Sequence, residues 1–307
     1  AGEEREVSEV SGEALAIKVA GATVCARLSP SQKERIILAM KKSGKVVGYL
    51  GDGINDAPAL KAADVGISVD NAVDIAKDSA DIILVKKGLA EIMEGVIEGR
   101  RTFGNAMKYM LMSLSSNFGN MFSMIGAALF LPFLPMTASQ ILLNNFIYDV
   151  AQLSLPSDNV DAEYLAKPKQ WNLKFMTRYM LVFGPISSLF DFFTFWILYN
   201  SMHLTGGAFQ AGWFLESLAT QVLVIYVIRT RKIPFLQSRP SSLLALSTVC
   251  AVFFALILVT TKLGQVFGFT VLSFGTIGLI ATLVVSYLII VEAAKQIFYR
   301  KFHQPDA

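Results

Sequence analysis

The 307-residue chain carries 27 Lys/Arg, 24 Asp/Glu, two cysteines and two histidines, and 53% of its residues are hydrophobic. So few cysteines and histidines exclude a disulfide framework, a cysteine-rich metal site and a histidine cluster. Residues 1–100 hold 13 Lys/Arg and 16 Asp/Glu, whereas the longer remainder, 101–307, holds 14 and 8. This division predicts a soluble domain over residues 1–100 followed by a polytopic membrane domain over residues 101–307.

Short apolar segments alternate with helical segments in the first hundred residues. Ser29 is a predicted N-cap, because Pro30 follows it at the first helical position. Strands are predicted at Val24–Arg27, Val46–Leu50, Val65–Val69 and Asp81–Val85. Such alternation is typical of an α/β domain with a parallel sheet, and about 90 residues make half of one.

The remainder is predicted to cross the membrane six times. Charged residues are absent from Tyr109 to Tyr148, an interval too long for one span of about 20 residues, and Leu131–Pro135 divides it in two. Four further spans are predicted at residues 179–200, 209–228, 241–261 and 269–291. Lys and Arg concentrate in residues 157–178, in residues 229–240 and in the C-terminal tail. The positive-inside rule therefore predicts that the soluble domain and the C-terminus are cytosolic.

One loop, Gly51–Leu60, joins the predicted strand to the next helix and holds two carboxylates four residues apart. Gly51 and Gly53 flank Asp52 and allow the backbone to approach a ligand closely. Ligands bind at this end of the strands in an open parallel sheet, and Mg²⁺ takes oxygen ligands that it shares with phosphate. Asp52 and Asp56 therefore predict a Mg²⁺-assisted phosphoryl-transfer site. An acidic turn that caps a helix is the alternative.

With Asn55 and Pro58 in place, the stretch from Gly51 to Ile67 resembles the hinge signature of P-type ATPases, which are cation pumps. The resemblance implies an α/β haloacid-dehalogenase-like (Rossmann-like) partial domain. It implies that Asp52 and Asp56 serve the catalytic Mg²⁺, with Gly51, Gly53 and Asn55 in the phosphate loop.

Lys33 belongs to a second resemblance, carried by the run Ser29–Lys33. The family's matching lysine contacts the aspartyl-phosphate, and a cation there suits phosphoryl transfer. A solvated surface lysine is the alternative. The family's nucleophile lies in an Asp-Lys-Thr-Gly-Thr motif, which does not occur in this sequence. We therefore expect the C-terminal part of a longer enzyme, inactive alone, that meets ATP through a nucleotide-binding domain outside this sequence.

Ionisable and amide side chains interrupt the apolar spans. Asn117 and Asn120 share one helix face in the first span, and Asn145 and Asp149 lie four apart in the second. Oxygen ligands on adjacent helices suit a hard cation, whereas interhelical hydrogen bonding is the alternative. Intramembrane carboxylates are functional hypotheses by default. The predicted transported-ion residues are Asn117, Asn120, Asn145 and Asp149, with Asp191 and Glu216 as further candidates.

Several stretches resemble the bacterial magnesium-transporting branch of the family, namely Ser115–Asn120, Leu131–Pro135, Tyr148–Gln152, Pro156–Asp161, Ile228–Phe235 and Gln237–Arg239. Calcium pumps generally have glutamate where this chain has Asn120. The resemblance implies ATP-driven import of Mg²⁺ across a bacterial-type plasma membrane. The expected partners are a divalent cation, the lipid bilayer and ATP, with no nucleic acid. A Ca²⁺ or H⁺ pump, a membrane-anchored phosphatase of the haloacid-dehalogenase type and a non-catalytic membrane fragment remain alternatives.

Overall fold

The computed structural model describes residues 12–86 and 88–302, and the chain divides into two compact units, Ala1–Val96 and Ile97–Ala307. The first unit contains a three-stranded parallel sheet in the order β1-β2-β3, with Gly48 opposite Val65 and Ile67 opposite Ile82. Its described elements are α1 (Gly12–Ala20), α2 (Pro30–Lys42), β1 (Gly48–Leu50), α3 (Ala57–Ala62), β2 (Val65–Val69), α4 (Asp74–Asp78) and β3 (Ile82–Leu84). Three predicted strands are confirmed in type and order.

The strand predicted at Val24–Arg27 is wrong. That segment is irregular, and Arg27 has a φ of 56°, in the left-handed region that a β-strand does not use. Its four residues are exposed, so there is no buried face of the kind that holds a strand in a sheet.

Helix α2 begins where the sequence predicts, because Ser29 forms a capping box with Gln32. The Ser29 N–H donates to Gln32 Oε1 at 2.8 Å, and the Gln32 N–H donates to Ser29 Oγ at 3.3 Å. Ile37 of α2 is buried against Val47 and Ala59. This packing holds the first turn of α2, which carries Lys33, beside the loop that follows β1.

The second unit is helical. Besides the short α7 (Ala162–Leu165), its elements are α5 (Leu89–Phe130, beginning in the first unit), α6 (Ala138–Gln152), α8 (Leu173–Trp196), α9 (Gly206–Ile228), α10 (Ser242–Thr260) and α11 (Phe274–Lys301). A π-helical turn, Ile197–Ser201, extends α8. Helix α9 is mostly apolar, has no exposed polar face and is almost completely buried, and it packs against α6, α8, α10 and α11.

Within the described residues, four helices are long and apolar enough to cross a membrane: Leu173–Ser201, Gly206–Ile228, Ser242–Thr260 and Phe274–Lys301. They correspond to the last four predicted spans. The first two predicted spans appear as the C-terminal part of α5 and as α6, with a break between Phe130 and Ala138. Helix α6 has only 15 residues, including four with amide or carboxylate side chains in its last nine, so its length and composition alone do not identify a span.

A buried carboxylate, Asp158, joins three helices of the second unit. Its Oδ2 accepts hydrogen bonds from Lys108 Nζ of α5 at 2.6 Å and from Arg229 Nε, just after α9, at 2.8 Å. Its Oδ1 accepts from the backbone N–H of Ser241, the N-cap of α10, at 3.1 Å. Burial raises the pKa of Asp158, but the hydrogen bond from Arg229 and the charge of Lys108 together hold it below its ordinary value.

Replacing Asp158 by Asn should strongly destabilise the second unit. The variant keeps the side chain's shape but leaves Lys108 and Arg229 buried without a negative partner, which typically costs about 3–5 kcal/mol. The measurement is the free energy of unfolding of the intact chain in mixed micelles titrated with SDS.

The matched control is Glu163→Gln, in the same connection between α6 and α8. Glu163 pairs with Lys232 at 2.8 Å, but its side chain is 70% exposed. Exposed ion pairs contribute little, so we expect no measurable change. Equal effects of the two substitutions would contradict the assignment of Asp158 as the joining residue.

Candidate functional site

The loop after β1 is held close to the neighbouring strand. The Gly51 N–H donates to the Ile67 carbonyl at 3.0 Å, and the buried Ser68 hydroxyl donates to the Gly51 carbonyl at 2.9 Å. A Cβ on Gly51 would lie 2.5 Å from Asp56 Cβ, so only glycine permits this approach. The loop therefore turns back at the carboxyl end of the sheet and places the Asp56 side chain against the backbone of Gly51.

Asp56 is the most contacted carboxylate of this loop. Its Oδ1 accepts from Lys33 Nζ and from the Tyr49 hydroxyl, both at 2.7 Å, and its Oδ2 accepts from the Gly53 N–H at 3.2 Å. Burial raises the pKa of Asp56, but the hydrogen bonds from Lys33 and Tyr49 bring it below the ordinary value. The hydrogen bond to Asp56 raises the pKa of Lys33, so both groups are charged at neutral pH.

Asp52 lies at the open side of the same loop. Its side chain is exposed, and its carbonyl accepts from the Val73 N–H at 3.2 Å. Asn55 lies in the following 3₁₀ turn, Ile54–Asp56, and is exposed as well. The structure thus brings Lys33 and Asp56 into direct contact and leaves Asp52 and Asn55 facing outward.

These donors fit a Mg²⁺ ion that is shared with a phosphate. Mg²⁺ is usually held by one or two carboxylates, by several waters and by substrate phosphate oxygens. In residues 12–86 and 88–302 there is no cluster of three or more His, Cys, Asp or Glu side chains that could hold a metal. Asp52 offers an accessible carboxylate, whereas Asp56 is already paired with Lys33. The loop therefore suits a site completed by phosphate and water.

The four predicted transported-ion residues line two separate cavities. Asn117, Asn120 and Asn145 line a cavity of about 210 Å³ between α5, α6 and α9. Asp149 lines a different cavity of about 530 Å³, together with Tyr109 of α5. Three of the four predicted ion ligands are thus brought together, and the carboxylate is placed about 6 Å further along α6, one helical turn from Asn145.

Asp191 and Glu216 are both buried, on α8 and α9. Asp191 Oδ2 accepts from the Ser123 hydroxyl at 2.6 Å, and its Oδ1 accepts from Trp213 Nε1 at 2.8 Å. Trp213 lines the cavity that contains Asn117, Asn120 and Asn145, which we call the asparagine cavity. Asp191 therefore contacts a residue of the cavity lining but is not itself among the lining residues. Glu216 Oε2 is buried without a hydrogen-bond partner in the part of the chain that the structure describes.

Three residues that belong to these sites were not among the predicted site residues. Tyr49 contacts Asp56 at the loop, and Asn144 and Ser217 line the asparagine cavity. The spacing of Asn145 and Asp149 favours those two residues over Asn144. A different pattern does identify Asn144, since the buried positions Gln140, Asn144, Ile147 and Ala151 recur every three or four residues. For Tyr49 the sequence contains no comparable pattern.

Comparison with known proteins agrees with this architecture. Residues 133–297 match the family described as cation transporting ATPase, C-terminus. The chain belongs to the cation-transporting ATPase family. It is 45% identical, over 97% of its length, to the magnesium-transporting ATPase, P-type 1, of Salmonella typhimurium, and 44% identical over the same share to the Escherichia coli K12 protein of that name. It spans about a third of the length of these relatives, 33% and 34%.

A calcium-transporting ATPase of Bacillus cereus is 37% identical over 53% of this chain, covering 19% of that relative. The resemblance to the magnesium-transporting branch of P-type ATPases, stated from the motifs alone, is confirmed by these matches.

Replacing Asp56 by Asn should destabilise the first unit by about 1–2 kcal/mol at neutral pH, because a charge-assisted hydrogen bond to Lys33 is lost. Asp56 has a folded-state pKa below its ordinary value of 3.8. The stability that its charge contributes is therefore present above about pH 4 and is lost as the pH falls through the folded-state pKa. The difference between parent and variant in the free energy of unfolding, measured from pH 7 to pH 3, tests this.

Asp52→Asn provides the control, since it makes the same chemical change on the exposed carboxylate of the loop. We expect its free energy of unfolding to match that of the parent. A difference for Asp56→Asn that persists unchanged into acid would show that the ion pair with Lys33 is not its source.

Proposed function

We propose that the chain is the C-terminal part of an ATP-driven pump that imports Mg²⁺ through an aspartyl-phosphate cycle. One observation carries this proposal: the identity of 44–46% with magnesium-transporting ATPases extends over 97% of the chain. It therefore includes the loop at Asp52 and both polar helices. Two calcium-transporting relatives, from Bacillus cereus and Listeria monocytogenes, align over only about half of the chain, which favours Mg²⁺ over Ca²⁺ as the cargo.

Residues 1–100 are proposed as the C-terminal part of a cytosolic, haloacid-dehalogenase-like phosphorylation domain. The parallel sheet and a ligand-type loop at the carboxyl end of β1 support that fold. Asp52 would hold the catalytic Mg²⁺, with Asp56 oriented by Tyr49 and Gly53. When bound, the metal would neutralise charge on the transferred phosphoryl group.

Lys33 supplies the second positive charge of this proposed site. Its ammonium is fixed by Asp56 at 2.7 Å, so its position does not depend on a mobile surface rotamer. A preorganised cation stabilises charge that develops during phosphoryl transfer without reorganising at the moment of reaction. The nucleophilic aspartate and the nucleotide-binding domain are proposed to belong to the rest of the pump.

Residues 101–307 are proposed as a six-helix domain of a bacterial-type plasma membrane, with the first unit and the C-terminus cytosolic. The four membrane-capable helices and the distribution of Lys and Arg support this. The cargo would pass between α5 and α6, where Asn117, Asn120 and Asn145 line one cavity and Asp149 another. Neutral amide oxygens suit an ion that keeps some of its water, as Mg²⁺ does.

Reconstitution of the full-length protein in liposomes tests the proposal. We expect ATP-dependent uptake of Mg²⁺ that exceeds uptake of Ca²⁺, measured with trapped fluorescent indicators. Asp52→Asn should abolish ATP hydrolysis. Asn117→Ala and Asp149→Asn should each raise the half-saturating Mg²⁺ concentration about tenfold, since a ligand oxygen or its charge is lost.

Asn200→Ala is the matched control for Asn117→Ala, because Asn200 is an exposed residue of the π-helical turn after α8. It should transport like the parent. Transport of Ca²⁺ in preference to Mg²⁺ would show that Ca²⁺ is the cargo. ATP hydrolysis without any cation uptake would favour a membrane-anchored phosphatase.

A further inference from the structure

The asparagine cavity contains more oxygen donors than the sequence predicts. Besides Asn117, Asn120 and Asn145, it is lined by Asn144 of α6 and by Ser217 of α9. Among the described residues that line it there is no charged side chain. Its volume of about 210 Å³ compares with about 30 Å³ for one water in the liquid, so it has room for an ion together with several waters.

Asn144 has a buried amide oxygen that no described residue satisfies. The residue is 3% exposed, and its Oδ1 has no hydrogen-bond partner in residues 12–86 and 88–302. Leaving such an acceptor unpaired costs about 1–3 kcal/mol, and nearly all buried polar groups avoid this cost. A donor or a cation in the cavity would remove it.

The orientation of Asn144 is set by a relay of hydrogen bonds. The Ser116 hydroxyl of α5 donates to Gln221 Oε1 at 3.1 Å, and Gln221 Nε2 donates to Ser217 Oγ at 2.7 Å. Asn144 Nδ2 also points at Ser217 Oγ, at 3.5 Å. The amide nitrogen of Asn144 therefore faces the relay, which leaves its carbonyl oxygen as the unpartnered end.

We propose that Asn144 and Ser217 complete the asparagine cavity as a subsite for a partly hydrated divalent cation, separate from the position of Asp149. This inference rests on the proposed function and adds a cargo-binding residue to it. Asn144 and Asp149 are five residues apart on α6, which places them about 140° apart around the helix and about 7.5 Å apart along it. They line different cavities for that reason.

The absence of a carboxylate among the described lining residues determines which cation fits. A bare divalent ion would lose most of its hydration energy without a charge to replace it. An ion that keeps several waters can instead be held through amide oxygens and bridging waters. Mg²⁺ dehydrates reluctantly, whereas Ca²⁺ takes six to eight oxygen ligands and is usually bound by carboxylates. The subsite therefore favours Mg²⁺ over Ca²⁺.

The test uses the full-length protein with Asn144→Leu, which keeps the side-chain size and removes the oxygen. Trp213 lines the cavity, so a paramagnetic ion bound there should quench its fluorescence. Mn²⁺ is the probe, added Mg²⁺ is the competitor, and Trp213→Phe identifies the signal. We expect Mn²⁺ to quench the Trp213 fluorescence of the parent and Mg²⁺ to reverse the quenching. In Asn144→Leu, at least about tenfold more Mn²⁺ should be needed for the same quenching, and at least about tenfold more Mg²⁺ for the same reversal.

Thr194→Val is the matched control, because Thr194 Oγ1 is likewise buried without a described partner but is not among the residues that line this cavity. Its quenching curves should match those of the parent. Asn144→Asp is the second variant, in case Asn144→Leu does not fold. The added charge should tighten Mn²⁺ binding and reduce the preference for Mg²⁺ over Ca²⁺.

The outcomes separate the subsite from the transport proposal. Quenching curves that are unchanged in both Asn144 variants, or a parent without Mn²⁺ quenching of Trp213, would overturn the subsite. A parent whose quenching is reversed by Mg²⁺ and weakened by Asn144→Leu, but which does not transport Mg²⁺, would retain the subsite and overturn the proposed function.

Discussion

The second unit depends on the ion cluster around Asp158. One buried carboxylate accepts hydrogen bonds from two cations, Lys108 on α5 and Arg229 at the end of α9, and from the N-terminus of α10. Without it, both buried cations would lack a negative partner, so the middle of α5, the C-terminus of α9 and the N-terminus of α10 are held together at Asp158. Arg229 also donates to the Ser238 carbonyl and hydroxyl, which secures the connection from α9 to α10. The C-terminal end of α9 is held in place by these contacts.

Most buried polar groups of the second unit are paired within the protein, and the few unpaired ones include candidate functional residues. A membrane bundle must pair its polar groups internally, and most described groups obey, as in the relay from Ser116 through Gln221 to Ser217. Asn144 Oδ1 and Glu216 Oε2 are among the few described atoms that do not, as is Thr194 Oγ1, and of these three residues only Asn144 lines the asparagine cavity. The loop of the first unit shows the same division. Asp56 is fully engaged by protein donors, and Asp52 is open to a ligand.

Local sequence patterns predicted most of the helices and strands, but they predicted fewer of the residues at which these elements begin and end. The N-cap at Ser29 and the strand at Val65–Val69 are found as predicted, because each depends on residues close in sequence. Strand β1 is shorter than predicted. The Val47 N–H donates to the Asp64 carboxylate at 2.9 Å, which takes it out of the ladder, and Val46 is 76% exposed. The break between α5 and α6 coincides with the predicted one, whereas membrane-span composition identifies only the last four helices.

The sequence by itself determined the family, the position of the loop that carries Asp52 and Asp56, and the polar positions of the membrane helices, because these are encoded in short contiguous motifs. Only the tertiary structure decided which of those positions meet. Asn144 and Ser217 are 73 residues apart and share a cavity, while Asn145 and Asp149 are four apart and do not. The physical reason is that contact between helices depends on their rotation and crossing, which packing around α9 and the Asp158 cluster sets and which no local spacing contains.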